Sequence, residues 1–198
     1  MFDDVTAFVL SGGMSTRMGT DKALVMFESR TLLERALEVA RSVTSEVRVA
    51  GNPVKYASFA PCVEDFYPNC GPLAGIHAAL HSSHTEFNLM VAVDLPFVTA
   101  QLLEFIVARA QDAATASVTV PRVGSRFQPL CAVYRREFVV PATQALRVGH
   151  YKIDSLFETK RTQIIEENEL VAAGFSPSLF RNVNTPGDLA EAKGKAGR

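Results

Sequence analysis

Apolar residues in this chain come in two alternating patterns. Short unbroken apolar runs, rich in β-branched and aromatic side chains, predict buried strands. Between them lie stretches in which apolar positions recur every three or four residues, as on one face of a helix. The first run, Val5-Thr6-Ala7-Phe8-Val9-Leu10, ends against Gly12-Gly13. Thr31, with Glu34 three residues on, forms a capping-box signature for a helix whose inner stripe is Leu33, Ala36, Leu37, Ala40 and Val43. Residues 47–50 read as a second strand closed by Gly51-Asn52-Pro53, and 61–64 as a short third one. Gly71-Pro72 opens a helix with Pro72 in the first turn and Leu73, Ile76, Ala79 and Leu80 facing inward. Residues 88–93 give the clearest buried strand, stopping at Asp94-Leu95-Pro96. Thr99 caps the next helix, where Leu102, Leu103, Ile106, Val107 and Ala110 recur.

Further strands are expected at 117–120, 130–134 and 163–165, and a helix over 137–147 that must start or kink at Pro141. Asn182-Val183-Asn184 reads as a short strand, with both asparagines on one face and Val183 on the other. Thr185-Pro186-Gly187-Asp188 then supplies the cap and first turn of a closing helix. This alternation predicts one α/β domain over residues 1–198, a three-layer Rossmann-like fold with a mainly parallel sheet. Ligands of such sheets sit beyond the carboxyl ends of the strands. The segment 11–22, Asn52, Asp65 and Asp94 all follow such ends and are expected around one crevice.

Composition narrows the classes. The chain has 198 residues and a formal net charge of −1, which lacks the basic footprint of a protein that binds long nucleic acid. Lys193, Lys195 and Arg198 are spread along the end of the chain and read as a solvated tail. No apolar run reaches the ~18 residues of a membrane span, and the N-terminus has no signal-peptide pattern. The three cysteines, Cys62, Cys70 and Cys131, form no C-x-x-C pair and read as buried free thiols of a cytoplasmic protein.

The strongest chemical signal is Leu10-Ser11-Gly12-Gly13-Met14-Ser15-Thr16-Arg17-Met18-Gly19-Thr20-Asp21-Lys22. Small residues after a buried strand let backbone N–H groups approach a phosphate, and Arg17 and Lys22 supply charge for its oxygens. A solvated surface loop has the same local composition. The segment is neither a P-loop, which needs G-K-[ST], nor the dinucleotide fingerprint G-x-G-x-x-G. Asp94, at the end of the most apolar strand, suits Mg²⁺, which prefers carboxylate and phosphate oxygens; it suits a turn equally well. Asn52, Asp65, Asn182 and Asn184 are ordinary turn and cap residues when taken singly. His77 and His81 are four apart on a predicted helix, but Ala78 stands where H-E-x-x-H requires Glu, so a surface or core-edge cluster is expected.

Together these motifs resemble the molybdenum cofactor guanylyltransferases, within the wider family of GT-A-like nucleotidyltransferases. The resemblance runs in order through residues 10–24, Asp65, Gly71-Pro72-Leu73-Ala74-Gly75, Val93-Asp94-Leu95-Pro96 and Asn182-Val183-Asn184-Thr185-Pro186-Gly187-Asp188-Leu189. It implies transfer of GMP from GTP to the terminal phosphate of molybdopterin, with Mg²⁺ and release of pyrophosphate. It implies nucleotide contacts at Leu10, Ser11, Gly12, Gly13, Lys22, Asn52, Asp65 and Asp94, with Asp94 also the metal ligand. Arg17, Lys22, Asp94, Asn182 and Asn184 then serve transfer or the pterin side. Molybdenum cofactor biosynthesis proteins or apo-molybdoenzymes would be the partners. Ser11 stands where the family usually has alanine, and Phe127-Gln128-Pro129-Leu130 departs from a region that often carries histidine. A cytidylyltransferase and a catalytically silent nucleotide-binding partner are the alternatives.

Overall fold

The computed structural model describes residues 1–11, 21–158, 161–185 and 187–191. Gly12, Gly13 and Arg17 of the expected site, Pro186 and the basic residues of the tail lie outside the described residues.

The strands are β1 (Val5–Leu10), β2 (Met26–Phe27), β3 (Arg30–Thr31), β4 (Glu46–Ala50), β5 (Cys62–Val63), β6 (Phe87–Ala92), β7 (Val118–Val123), β8 (Arg126–Phe127), β9 (Cys131–Arg135) and β10 (Thr162–Ile165). The helices are α1 (Leu32–Val43), α2 (Pro53–Tyr56), α3 (Pro72–Ser82), α4 (Ala100–Asp112), α5 (Val139–Arg147) and α6 (Glu167–Ala172), with a closing helix at 187–191. The main sheet has the order β10-β7-β9-β6-β1-β4-β5, with β8 paired to β7. β6, β1, β4 and β5 run parallel, whereas β9 is antiparallel to both its neighbours β6 and β7. Strand order therefore reverses beside β1, which places a crevice at the carboxyl ends of β1 and β6.

Every residue of β1 and β6 is buried, which is why they read as unbroken apolar runs. Period-two alternation splits each strand between two cores. Ala7, Val9, Val49, Leu89 and Val91 pack with α1 and α4, while Phe8, Leu10, Ala50 and Met90 pack with α3 and α5. This is the expected three-layer arrangement. Pro141 falls in the first turn of α5, where backbone N–H groups have no intrahelical acceptor, so the helix is not broken.

Some elements differ from the sequence reading. β2, β3 and β8 are two-residue strands and α2 is a four-residue helix, all too short to show a period. The short strand expected at 182–184 is not a strand: the segment is extended, with Val183 buried between exposed Asn182 and Asn184, but it joins no ladder. Its link to the sheet is the Val183 N–H, which donates to the Asp94 carbonyl at 2.9 Å. Of the cysteines only Cys131 is buried; Cys62 and Cys70 are half-exposed, and all are free thiols. Among the described residues no helix is long and apolar enough to cross a membrane.

The cap of α1 follows the sequence. Thr31 Oγ1 accepts from the Glu34 N–H at 3.1 Å, and Glu34 Oε2 accepts from the Thr31 N–H at 2.8 Å. Thr31→Ala should lower the free energy of unfolding by about 1 kcal/mol in urea titration. An unchanged midpoint and slope would contradict this cap.

Candidate active site

The carboxyl ends of β1, β4, β5 and β6 are laced to one another. The Ser11 N–H and hydroxyl both donate to the Ala50 carbonyl at 3.1 Å. The Gly51 N–H donates to the Val63 carbonyl at 2.9 Å, and the Val93 N–H to the Leu10 carbonyl at 3.2 Å. Gly51 is needed for this closeness. A Cβ there would stand 2.1 Å from Ser11 Oγ and 3.0 Å from the Tyr56 ring.

Lys22 begins a 3₁₀ turn (Lys22–Leu24) capped by the side chain of Asp21. Its ammonium donates to Asp94 Oδ2 at 3.0 Å and to Asn184 Oδ1 at 2.6 Å. The Lys22 and Asp94 side chains keep 15% and 20% of their exposure, so the pair is shielded yet reachable from solvent. Asn184 belongs to a rigid corner. Asp188 Oδ2 accepts from the backbone N–H groups of Asn184 and Thr185 at 2.9 Å, and Thr185 Oγ1 accepts from the Asp188 N–H at 3.1 Å. These bonds, with the Asn184 N–H foremost, hold the Asp188 carboxyl below its ordinary value. The helix cap expected at Thr185 is therefore present, with Asp188 as its reciprocal partner.

Asn52 and Asp65 follow the neighbouring strands β4 and β5. Asn52 Oδ1 accepts from the Val54 N–H at 2.8 Å and caps α2, which leaves the Nδ2 donors for a ligand. Asp65 keeps an exposed edge, but its carboxyl lies over the first turn of α3. A Cβ on Gly75 would stand 3.7 Å from Asp65 Oδ1 and 3.6 Å from Leu10 Cδ2. Partial burial raises this carboxyl above the ordinary carboxylate range, and among the described residues it has no hydrogen-bond or ion-pair partner.

The structure thus brings Lys22, Asp94 and Asn184 together, and places Leu10 with Asp65, and Ser11 beside the turn that carries Asn52. Asn182 shares the exposed side of the same segment as Asn184 but makes no contact of this kind. The Ser11 hydroxyl is engaged with the Ala50 carbonyl. His77 is buried, its Nε2 lies 3.1 Å from Thr143 Oγ1, and its ring packs against Phe66, Tyr67 and His81. Among the described residues no group of three or more histidine, cysteine or acidic side chains forms a metal cluster. Sequence reasoning missed Asp21, Tyr56 and Asp188, all of which hold site residues in place. Asp188 at the third position after Thr185 was the available capping-box signal; Tyr56 gave none.

The sequence matches the MobA-like NTP transferase domain over residues 7–164. The chain belongs to the MobA-like NTP transferase family. Within this family it is similar to a molybdenum cofactor guanylyltransferase of Desulfosudis oleivorans, 34% identical with 99% of this chain and 98% of that protein covered. It is also similar to a probable molybdenum cofactor guanylyltransferase of Pelotomaculum thermopropionicum, 33% identical over 95% of this chain and 91% of that protein. Among solved structures, molybdopterin-guanine dinucleotide biosynthesis protein A of Archaeoglobus fulgidus superposes with a TM-score of 0.84 at 27% identity, covering 97% of this chain and 98% of that one. In this MobA-like transferase the fold gathers Lys22, Asp94 and Asn184 at one strand end.

Asp65 gives a test of the site independent of catalysis. Its value in the folded protein lies above the unfolded 3.8, so the ionised form penalises folding. The penalty is absent below the unfolded value and complete once the pH passes the folded one. Asp65→Asn should therefore raise Tm near pH 7, with the gain vanishing near pH 3. An equal gain at both values would show that charge at Asp65 is not the cause.

Proposed function

We propose that this protein transfers GMP from GTP to the terminal phosphate of molybdopterin, forming the guanine dinucleotide cofactor and releasing pyrophosphate. The observation that carries the reading is the meeting of Lys22, Asp94 and Asn184. It brings the end of the phosphate-type loop, the strand-end carboxylate and the C-terminal asparagine motif to one point across 162 residues of sequence. The names of the relatives, guanylyltransferases over nearly the full chain, support the choice of GTP and of molybdopterin.

An oxygen of the acceptor phosphate attacks the α-phosphorus of GTP in line. The new P–O bond forms as the bond from the α-phosphorus to the β-phosphate bridge breaks, and pyrophosphate carries away the electron pair. The acceptor is already anionic near neutral pH, so no general base is required. Catalysis then rests on positioning and charge neutralisation. Lys22 supplies a point charge for the phosphates as its bonds to Asp94 and Asn184 are exchanged for phosphate oxygens. Asp65 and the Asn52 Nδ2 form the base side, where a guanine N–H edge satisfies the unpartnered carboxylate. Asn182 and Asn184 face the acceptor.

Asp94 fits Mg²⁺. Lys22 takes one of its oxygens, and one carboxylate with substrate phosphates is the donor set this ion commonly uses. When bound, the ion would draw charge from the phosphate oxygens. A cytoplasmic setting and transfer of the product to molybdenum cofactor biosynthesis proteins or apo-molybdoenzymes belong to the same reading.

The deciding experiment is incubation with molybdopterin and either GTP or CTP, with the product mass read by mass spectrometry and pyrophosphate followed in parallel. GTP should give the guanine dinucleotide. A cytosine dinucleotide as main product would make the protein a cytidylyltransferase, and pyrophosphate from neither nucleotide would make it a binding partner only. Asp94→Ala should abolish transfer in a folded protein, and Lys22→Ala should lower it by about 10²-fold through lost phosphate neutralisation. Near-normal turnover in either variant would remove that residue from the mechanism. Asn184→Ala should slow transfer with little change in GTP affinity; a parallel fall in Tm and GTP binding would make it a turn residue only.

A further inference from the structure

The base side and the phosphate side of the site are joined through a group that neither side requires for contact with substrate. Asp21 immediately precedes Lys22. Its Oδ1 accepts from the Ala23 N–H at 3.2 Å and so caps the turn that carries the lysine. The same carboxylate accepts from the Tyr56 hydroxyl, at 2.8 Å to Oδ1 and 2.9 Å to Oδ2, and from Lys55 Nζ at 2.7 Å. Tyr56 and Lys55 belong to α2, the helix capped by Asn52. One carboxylate is therefore clamped at once to the turn that bears Lys22 and to the short helix that bears Asn52.

The clamp is well defined. Partial burial pushes the Asp21 carboxyl upward, but the bonds from Lys55 and Tyr56, the Lys55 charge and the Ala23 N–H outweigh it and hold the group below its ordinary value. The Tyr56 side is buried, with 3% of the residue exposed, and its hydroxyl also meets that of Ser11. The ring lies against Gly51, where a Cβ would stand 3.0 Å away, so α2 has little room to shift relative to the end of β4. Lys55 is half-exposed and contributes the softer contact.

We propose that Asp21 and Tyr56 are positioning residues. They form a hydrogen-bonded strut that fixes Lys22 relative to Asn52, so that seating the base also sets the phosphates against the lysine. This rests on the reading of Asn52 and Lys22 as nucleotide contacts. Two consequences separate the strut from ordinary packing. Breaking it leaves each half of the site intact but loosens their relative placement, and misplacement of a reacting group is paid in rate. The two ends of one strut also fail together rather than additively.

Tyr56→Phe keeps the ring and removes the hydroxyl, and Asp21→Asn keeps the cap on the Ala23 N–H while weakening the clamp. For each, Tm, kcat and KM are measured with GTP and molybdopterin, and the binding of guanosine and of tripolyphosphate is measured separately by calorimetry. Each single variant should lose about tenfold in kcat, with Tm nearly unchanged and each fragment bound within about twofold of the parent. The double variant should be no slower than the slower single one. A kcat within about twofold of the parent in Tyr56→Phe overturns the strut. So does a fall in Tm and in both fragment affinities in step with kcat, because Tyr56 is then a packing residue. Should the parent protein use CTP rather than GTP, the guanylyl reading fails by itself; the comparison is then made with CTP and cytidine, and the same loss in kcat is expected.

Discussion

The site depends on one buried-edge cation. Lys22 sits between the Asp94 carboxylate and the Asn184 amide, and this contact sets where three distant parts of the chain must meet. Asp94 is placed by β6, which is fully buried and ends two residues before it. Asn184 is fixed because the Asp188 box locks its corner and the Val183 N–H docks on the Asp94 carbonyl. Lys22 is fixed from behind by Asp21 and α2. A shielded ammonium next to a single carboxylate is a modest contributor to stability. In the proposed reaction its value is in function, as positive charge held where phosphate arrives and released from protein partners as phosphate replaces them.

The rest of the site follows from the sheet. Parallel strands β1, β4, β5 and β6 end at the same side, so the loops that follow them share one crevice. Gly51 allows the β1 and β4 ends to come within hydrogen-bonding distance of each other through Ser11. Gly71, with φ of 72°, turns the chain into α3 and brings Gly75 beneath Asp65. Asp65 is exposed, its carboxyl raised by partial burial and without a donor among the described residues. In the proposed reaction a base edge supplies that donor.

Long elements were legible in the sequence for physical reasons. β1 and β6 are buried on both faces and so read as unbroken apolar runs, and α1 declares its start through Thr31 and Glu34. The family was legible from the motifs as a set, because residue types at several strand ends matched it in order; singly, Asn52 and Asn184 looked like turn residues. The structure shows the turn role of Asn52, whose Oδ1 caps α2. What the sequence did not reveal depends on contacts between segments far apart. The 182–184 segment has the alternation of a strand but no neighbour to pair with. Nothing in the sequence around Tyr56 signals its role, and only the fold shows its hydroxyl on Asp21, 35 positions away.

In the proposed reaction one crevice, with Lys22 at the phosphate end and Asn52 and Asp65 at the base end, holds the nucleotide. The most direct test is a crystal structure of the protein with GTP bound. Phosphate oxygens are expected on Lys22 Nζ, with the Lys22–Asn184 bond exchanged for them, and the guanine edge between Asn52 and Asp65. Phosphates seated away from Lys22, or a guanine ring on the other side of β6, would contradict it.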